Sequence, residues 1–199
     1  LILKRIYLLF AFAVIPAYFL STLWMNIPVW VYILVVIAAF AQVAGWIYMI
    51  RLIKNQNAIF KNPFSVTAKW LLGLAAIALT IKLLLQLGST IPSLSTLAFG
   101  FRPIVIGYLH LVLLGVITLF LIGFMFAANF IAINKKATAG AGIFAAGIII
   151  NEVFLMTQGV GALDYINIPY INTALLVAAV IMFAGLLLLN ISQQNKLQK

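Results

Sequence analysis

The 199-residue sequence contains six apolar stretches that are each long enough to cross a lipid bilayer. A helix needs about 20 apolar residues to span the hydrocarbon core, and backbone polar groups in lipid must be satisfied internally. We therefore predict membrane helices near residues 6–24, 28–50, 64–87, 103–133, 138–159 and 169–191. The predicted fold class is an all-α polytopic transmembrane bundle with six spans, forming a single transmembrane domain over residues 1–199.

Composition excludes the main classes of soluble protein. Hydrophobic residues make up 66% of the chain and charged residues 7%, against roughly 45–50% and about 25% in soluble domains. The net charge of +10 does not indicate a nucleic-acid partner, because most of the cations lie in short segments that flank the apolar stretches. Cysteine is absent, which excludes disulfides and thiolate metal sites. The expected partner is the lipid bilayer.

The basic residues predict the orientation in the membrane. They precede the first stretch, follow the second and fourth, and end the chain, whereas the alternate loops carry only Arg102 and Asp164. The basic set is Lys4, Arg5, Arg51, Lys54, Lys61, Lys135, Lys136, Lys196 and Lys199. Cytoplasmic loops carry an excess of Lys and Arg, so both termini are predicted to be cytoplasmic, and six crossings satisfy that parity. We expect a multi-pass protein of a bacterial inner membrane.

Away from the cytoplasmic ends of the predicted spans, three Lys, His or Glu residues lie inside them, namely Lys82, His110 and Glu152. Such residues are costly in lipid and are therefore candidates for a site. The topology places each of them roughly 9–12 Å below the outer surface at 1.5 Å per helical residue. Gln86 follows Lys82 by four residues on the same helix face. We predict a periplasm-side polar site of Lys82, Gln86, His110 and Glu152, with Arg102 at its mouth.

Structural roles for the same residues stay open. Lys82 could extend its ammonium to the outer headgroups or form an ion pair with Glu152 that only fixes the packing. His110 could be a neutral histidine bonded to a backbone carbonyl or to Glu152. The connection over 88–102 is expected to contain a short helical segment in the outer interface that caps the site beneath it.

The fifth apolar stretch is rich in glycine and alanine, which favours close helix packing. On a helix, Thr138, Gly142, Ala145 and Ile149 share a face that leads to Glu152. This pattern predicts that Glu152 faces the interior of the bundle on the small-residue face.

The stretch around His110 resembles a known family. Residues 108–118 read YLHLVLLGVIT and are followed by Leu121 and Gly123. This resembles the histidine-bearing helix of proteins related to heme-copper oxidase subunit I, among them NnrS-type proteins linked to nitric oxide response, and inner-membrane proteins of Bacteroidetes. The resemblance implies that His110 ligates a metal or heme. The family's other ligand histidines have no counterpart here, because His110 is the only histidine.

These patterns leave three functions open. The first is a redox or nitric-oxide-response module, with heme or copper ligands supplied from outside this chain. The second is a proton-coupled transporter in which Glu152 exchanges a proton and Lys82 is its charge partner. The third is a structural subunit of a membrane complex. Because the sequence begins at Leu1, we expect a fragment of a longer chain, whose missing N-terminal half or partner subunits would complete the site. No phosphate loop, dinucleotide fingerprint or nucleophile elbow indicates an enzyme class.

Overall fold

A computed structural model describes residues 2–23, 25, 27–55 and 64–194. These residues form seven α-helices and no strand, so the fold class is all-α, as predicted. The helices are α1 (Ile2–Tyr18), α2 (Val29–Asn55), α3 (Val66–Gly88), α4 (Pro92–Gly100), α5 (Arg102–Ala127), α6 (Lys135–Leu163) and α7 (Ile171–Gln194).

Five of these helices are long and apolar enough to cross a membrane, namely α2, α3, α5, α6 and α7. Large apolar side chains such as Phe12, Ile37 and Phe183 are exposed on the helices, as expected for surfaces that contact lipid. The chain is thus compatible with an integral membrane protein. Helix α1 has 17 residues and continues into a 3₁₀ turn over Phe19–Thr22. A sixth span and the side of the termini stay predictions.

The chain divides into two compact units, and α3 contributes to both. The first unit comprises Leu1–Pro63 and Thr80–Gly100. In it α1 contacts α2 closely, because Gly45 lets the Phe10 ring approach to within 3.0 Å of where a Cβ would lie. Two side chains of α2 donate hydrogen bonds, one to the second half of α3 and one to the turn that follows α3. Trp46 Nε1 donates to Thr80 Oγ1 at 2.9 Å, and the Tyr32 hydroxyl donates to the Thr90 carbonyl at 2.8 Å.

The second unit comprises Phe64–Leu79 and Phe101–Lys199. Its core is formed by side chains of α3, α5, α6 and α7, with Leu71, Phe126 and Ile148 at its centre. Helices α6 and α7 approach closely at Gly140 and Gly185. A Cβ at Gly140 would lie 2.7 Å from the Leu189 nitrogen, and one at Gly185 would lie 2.5 Å from the Phe144 nitrogen. Close packing of α6 is therefore built on glycine, as its composition predicted.

The ends of several helices differ from the sequence prediction. Helix α5 ends at Ala127 although the apolar run continues to residue 133, because Asn129 adopts a left-handed φ of 58° that reverses the chain. Helix α6 begins at Lys135, since the Asn134 side chain accepts a hydrogen bond from the Ala137 nitrogen at 2.7 Å and caps it. The expected helical segment in 88–102 is α4. The sequence also predicts that Asn62 caps the third span, with Pro63 in its first turn, and both residues lie outside the described part of the chain.

Candidate functional site

Helix α6 carries two adjacent polar side chains, Asn151 and Glu152, in the middle of an apolar span. Asn151 is buried, with 5% of its surface exposed, and Glu152 is half-buried. The Asn151 Nδ2 and Glu152 Oε1 atoms are both buried and form no regular hydrogen bond within the described part of the chain, although the Asn151 side chain lies close enough to interact with the Glu152 carboxyl. Leaving a buried polar group without a regular hydrogen bond costs about 1–3 kcal/mol, so these two groups side by side are a candidate site.

The buried face of α6 differs from the predicted one. It runs through Gly140, Phe144, Ile148, Asn151 and Leu155. Gly142 and Ile149, which were assigned to the packed face, lie off it, since a Cβ at Gly142 would meet nothing within 4 Å and Ile149 is 49% exposed. The prediction holds for Ala145, which is 2% exposed, and fails for Gly142 and Ile149, because the stretch has glycine and alanine on several faces and composition does not select one. Asn151 therefore lies on the packed face and Glu152 at its edge.

Helix α5 runs antiparallel to α6, and close contacts at two glycines fix their register. A Cβ at Gly159 would lie 3.2 Å from Ile104 Cγ1, and one at Gly107 would lie 3.5 Å from Leu155 Cβ. One further turn along each helix leads from Gly107 to His110 and from Leu155 to Asn151 and Glu152. The register thus places His110 at the same level as Asn151 and Glu152.

The hydrogen bond of His110 defines the role of its imidazole. His110 Nδ1 lies 2.9 Å from the Ile106 carbonyl oxygen. Because a carbonyl only accepts, Nδ1 carries the proton, and in the neutral ring Nε2 is the nitrogen with a lone pair. This is the backbone-bonded arrangement that the sequence left open for His110.

The backbone of α5 changes form directly after His110. Residues Leu111–Thr118 form a π-helix inside the α5 span. The Thr118 hydroxyl donates to the Leu113 carbonyl, five residues earlier, at 2.8 Å. Such wide segments in α-helices are rare and often lie at functional sites. The π-helix is a second sign, independent of Asn151 and Glu152, that this level of the second unit is a site.

The first unit holds Lys82 and Gln86, and it joins them to a residue that sequence reasoning missed. Lys82 Nζ donates to Gln86 Oε1, and Gln86 Nε2 donates to Gln42 Oε1 at 2.6 Å. Gln86 and Gln42 are both buried, at 5% and 7% exposed. Gln42 could have been found from its position inside an apolar span, because a polar side chain there is a candidate site residue, as an ionisable one is. The same applies to Asn151, which was also missed.

The predicted site residues thus belong to two units. Lys82 and Gln86 are bonded together in the first unit. His110 and Glu152 lie at one level of the second unit. Arg102 also belongs to this unit and is exposed at the start of α5. The site that combines all of them stays a prediction.

The side chains present do not form a complete metal site. Among the described residues, no group of three or more His, Asp or Glu side chains lies close enough to hold a metal ion. His110 Nε2 suits a single axial bond to a heme iron, but copper requires further nitrogen ligands. A redox centre would need ligands beyond these residues.

Comparison with known proteins gives no assignment. The chain matches no protein-family model, no curated protein and no solved structure. The class that the structure supports is that of an all-helical protein with membrane-length apolar helices, and any activity must be argued from its polar groups.

Proposed function

We propose that this protein is a proton-coupled carrier of the membrane in which Glu152 is the proton-binding group. The observation that carries the proposal is the Glu152 carboxyl inside an apolar span, whose buried Oε1 forms no regular hydrogen bond and whose side-chain neighbour is Asn151. Intramembrane carboxyl groups without a fixed partner are typical of proton relays and transport pathways. The alternation of basic loops further supports a site on the periplasmic side of a bacterial inner membrane.

Protonation of Glu152 changes which hydrogen bonds it can form. The ionised carboxylate only accepts, whereas the protonated acid also donates one hydrogen bond. The neighbouring Asn151 amide can donate from its Nδ2 group and accept at its Oδ1 oxygen. His110 Nε2 accepts in the neutral ring. Each protonation state of Glu152 therefore favours a different set of partners at this level. In our proposal a small solute completes one of these sets, which couples its binding to the proton.

Infrared spectroscopy tests the proton-binding step directly. The sequence has only two acidic side chains, Glu152 and Asp164, so a carboxylic-acid band in pH-difference spectra is readily assigned. Because both carboxyl groups can titrate, the comparison is made in phosphatidylcholine liposomes on protein that carries Asp164→Asn. We expect a titrating band in Asp164→Asn that disappears when Glu152→Gln is added to it. A band that persists in the double variant, or no band in Asp164→Asn, would overturn the proposal.

Transport is tested in proteoliposomes that contain a pH-sensitive dye. An inward gradient of labelled alanine, lactate or glucose is imposed in turn, and we expect one of them to acidify the lumen. Glu152→Gln should abolish this coupled proton entry, while Asp164→Asn should preserve it. If both variants alter only folding or assembly, the structural-subunit role is favoured instead.

A second candidate is the heme- or copper-associated redox or nitric-oxide-response module. The observation that favours it is the bond from His110 Nδ1 to the Ile106 carbonyl, because metal-binding histidines usually donate their other ring nitrogen in this way. In this case His110 would hold the group, and ligands from another segment or subunit would complete it. The test is a reduced-minus-oxidised absorption spectrum of the purified protein, in which a heme band should disappear in His110→Ala. A featureless spectrum excludes heme, and elemental analysis then tests copper.

A further inference from the structure

The first unit contains a hydrogen-bond chain with a consistent direction. It starts at the Lys82 ammonium, which can only donate, and passes through the Gln86 amide to Gln42 Oε1. With its oxygen occupied by Gln86, Gln42 has its Nε2 group left to donate. Hydrogen bonds in a chain polarise one another in a medium of low dielectric, so the Gln42 N–H group is a stronger donor than an isolated amide.

The residue that carries this donor, Gln42, lies beside a groove of the first unit. The groove has a volume of about 640 Å³, and Gln42 lines it together with apolar and aromatic side chains of α1 and the turn after it. The other lining residues are Val14, Ile15, Ala17, Tyr18 and Phe19. Ile15 and Tyr18 are 75% and 74% exposed, so the groove is open on the side of the helix surface where lipid chains would lie.

Charge defines the ligand that fits. Residues 1–63 and 80–100 include six Lys or Arg residues and no Asp or Glu. Lys82 is the cation of this unit that hydrogen bonds join to Gln42, through the Gln86 amide, and its ammonium polarises that chain. A fitting molecule therefore has an apolar chain for the groove and an anionic oxygen that accepts from Gln42. We propose that this groove binds a single-chain fatty acid as its carboxylate.

The proposal is independent of the carrier function, because the groove and its hydrogen-bond chain belong to the first unit, whereas His110 and Glu152 belong to the second. It also gives Lys82 a role, because its ammonium polarises the hydrogen bonds of Gln86 and Gln42 and so strengthens the Gln42 N–H as a donor. The carboxylate would bond to the Gln42 N–H, and the alkyl chain would lie along Val14 and Ile15.

Binding of the fluorescent fatty acid cis-parinarate to the purified full chain in nanodiscs tests this. Hydrogen bonds to charged groups are strong enough that losing one weakens binding by about tenfold or more. We expect Gln42→Leu and Lys82→Met each to weaken parinarate binding by about this factor. Palmitate should displace the probe in the unsubstituted protein, and hexadecanol, which has no negative charge, should displace it at least about tenfold less well.

A second pair of variants tests binding in the groove if substitution of Gln42 impairs folding. Ile15→Trp fills the groove from an exposed position, whereas Phe12→Trp makes the same type of change at an exposed residue of α1 outside it. Loss of parinarate binding in Ile15→Trp alone supports the proposal. Equal binding in both variants, or equal displacement by palmitate and hexadecanol, overturns it.

Discussion

Asn151 is a buried amide whose replacement should change stability and the proposed transport in opposite directions. Its Nδ2 atom is buried without a regular hydrogen bond in a span whose neighbouring turns are packed. An apolar side chain of similar size would remove the unsatisfied group, which is worth about 1–3 kcal/mol. We therefore expect Asn151→Leu to raise the midpoint of thermal unfolding in detergent, measured by tryptophan fluorescence, while proton-coupled uptake falls.

The control for this variant is Leu155→Ala, one turn away on the same packed face. It creates a cavity and should lower the unfolding midpoint, as truncations of buried leucine do by about 2–5 kcal/mol. If Asn151→Leu lowers the midpoint as well, the amide is satisfied in the folded protein and its role is structural.

At the residue level, the sequence predicted part of the site. The bond between Lys82 and Gln86 follows from their spacing of four residues on a helix, and His110 and Glu152 were singled out as ionisable residues in apolar spans. The partner Gln42 is 44 residues from Gln86 in sequence, so only tertiary structure brings them together. The lack of a regular hydrogen bond from Asn151 Nδ2 is likewise a property of its neighbours in space, which no local pattern contains.

Among the elements, the contact between α6 and α7 is the one most sensitive to side-chain volume. A Cβ at Gly185 would lie 2.5 Å from the Phe144 nitrogen and 2.9 Å from the Gly140 carbonyl oxygen. Both atoms belong to backbone and cannot move aside as a flexible side chain does. We expect Gly185→Ala to lower stability by about 1–3 kcal/mol, the usual range for overpacking.

The matched control is Gly142→Ala, because nothing lies within 4 Å of a Cβ there. Both substitutions raise helix propensity by a similar amount, so their difference isolates the clash. Unfolding in mixed detergent micelles, followed by circular dichroism, measures that difference. Equal stabilities would show that α6 and α7 do not approach as closely as the structure places them.

Helix positions were more predictable than helix ends. Long apolar runs define membrane helices because lipid leaves the backbone few alternatives, and five of the predicted runs form such helices. The end of α5 was misplaced because the apolar residues after it do not continue the helix. Ile131, for example, is buried in the core of the second unit from a non-helical position. The π-helix over Leu111–Thr118 was not predicted, since its residues have the same apolar character as an α-helix.

For the whole molecule, the open question is whether the chain crosses the membrane five or six times. Helix α1 alone is about 26 Å long, which is short of a hydrocarbon core of about 30 Å. The 3₁₀ turn over Phe19–Thr22 rises about 2 Å per residue and extends the apolar segment to about 33 Å. The combined length suits a sixth span, which would place Lys4 on the same side as Arg51.

Because the chain has no cysteine, single substitutions report its topology without background. Lys4, Arg51 and Ser93 are all exposed, so each can be replaced by cysteine with little effect on packing. We expect a membrane-impermeant maleimide to label Ser93→Cys in intact cells. It should label Lys4→Cys and Arg51→Cys only after permeabilisation, because the excess of positive charge keeps both on the cytoplasmic side. Labelling of Lys4→Cys in intact cells would mean that α1 does not cross the bilayer, and the groove beside Gln42 would then lie at the membrane surface.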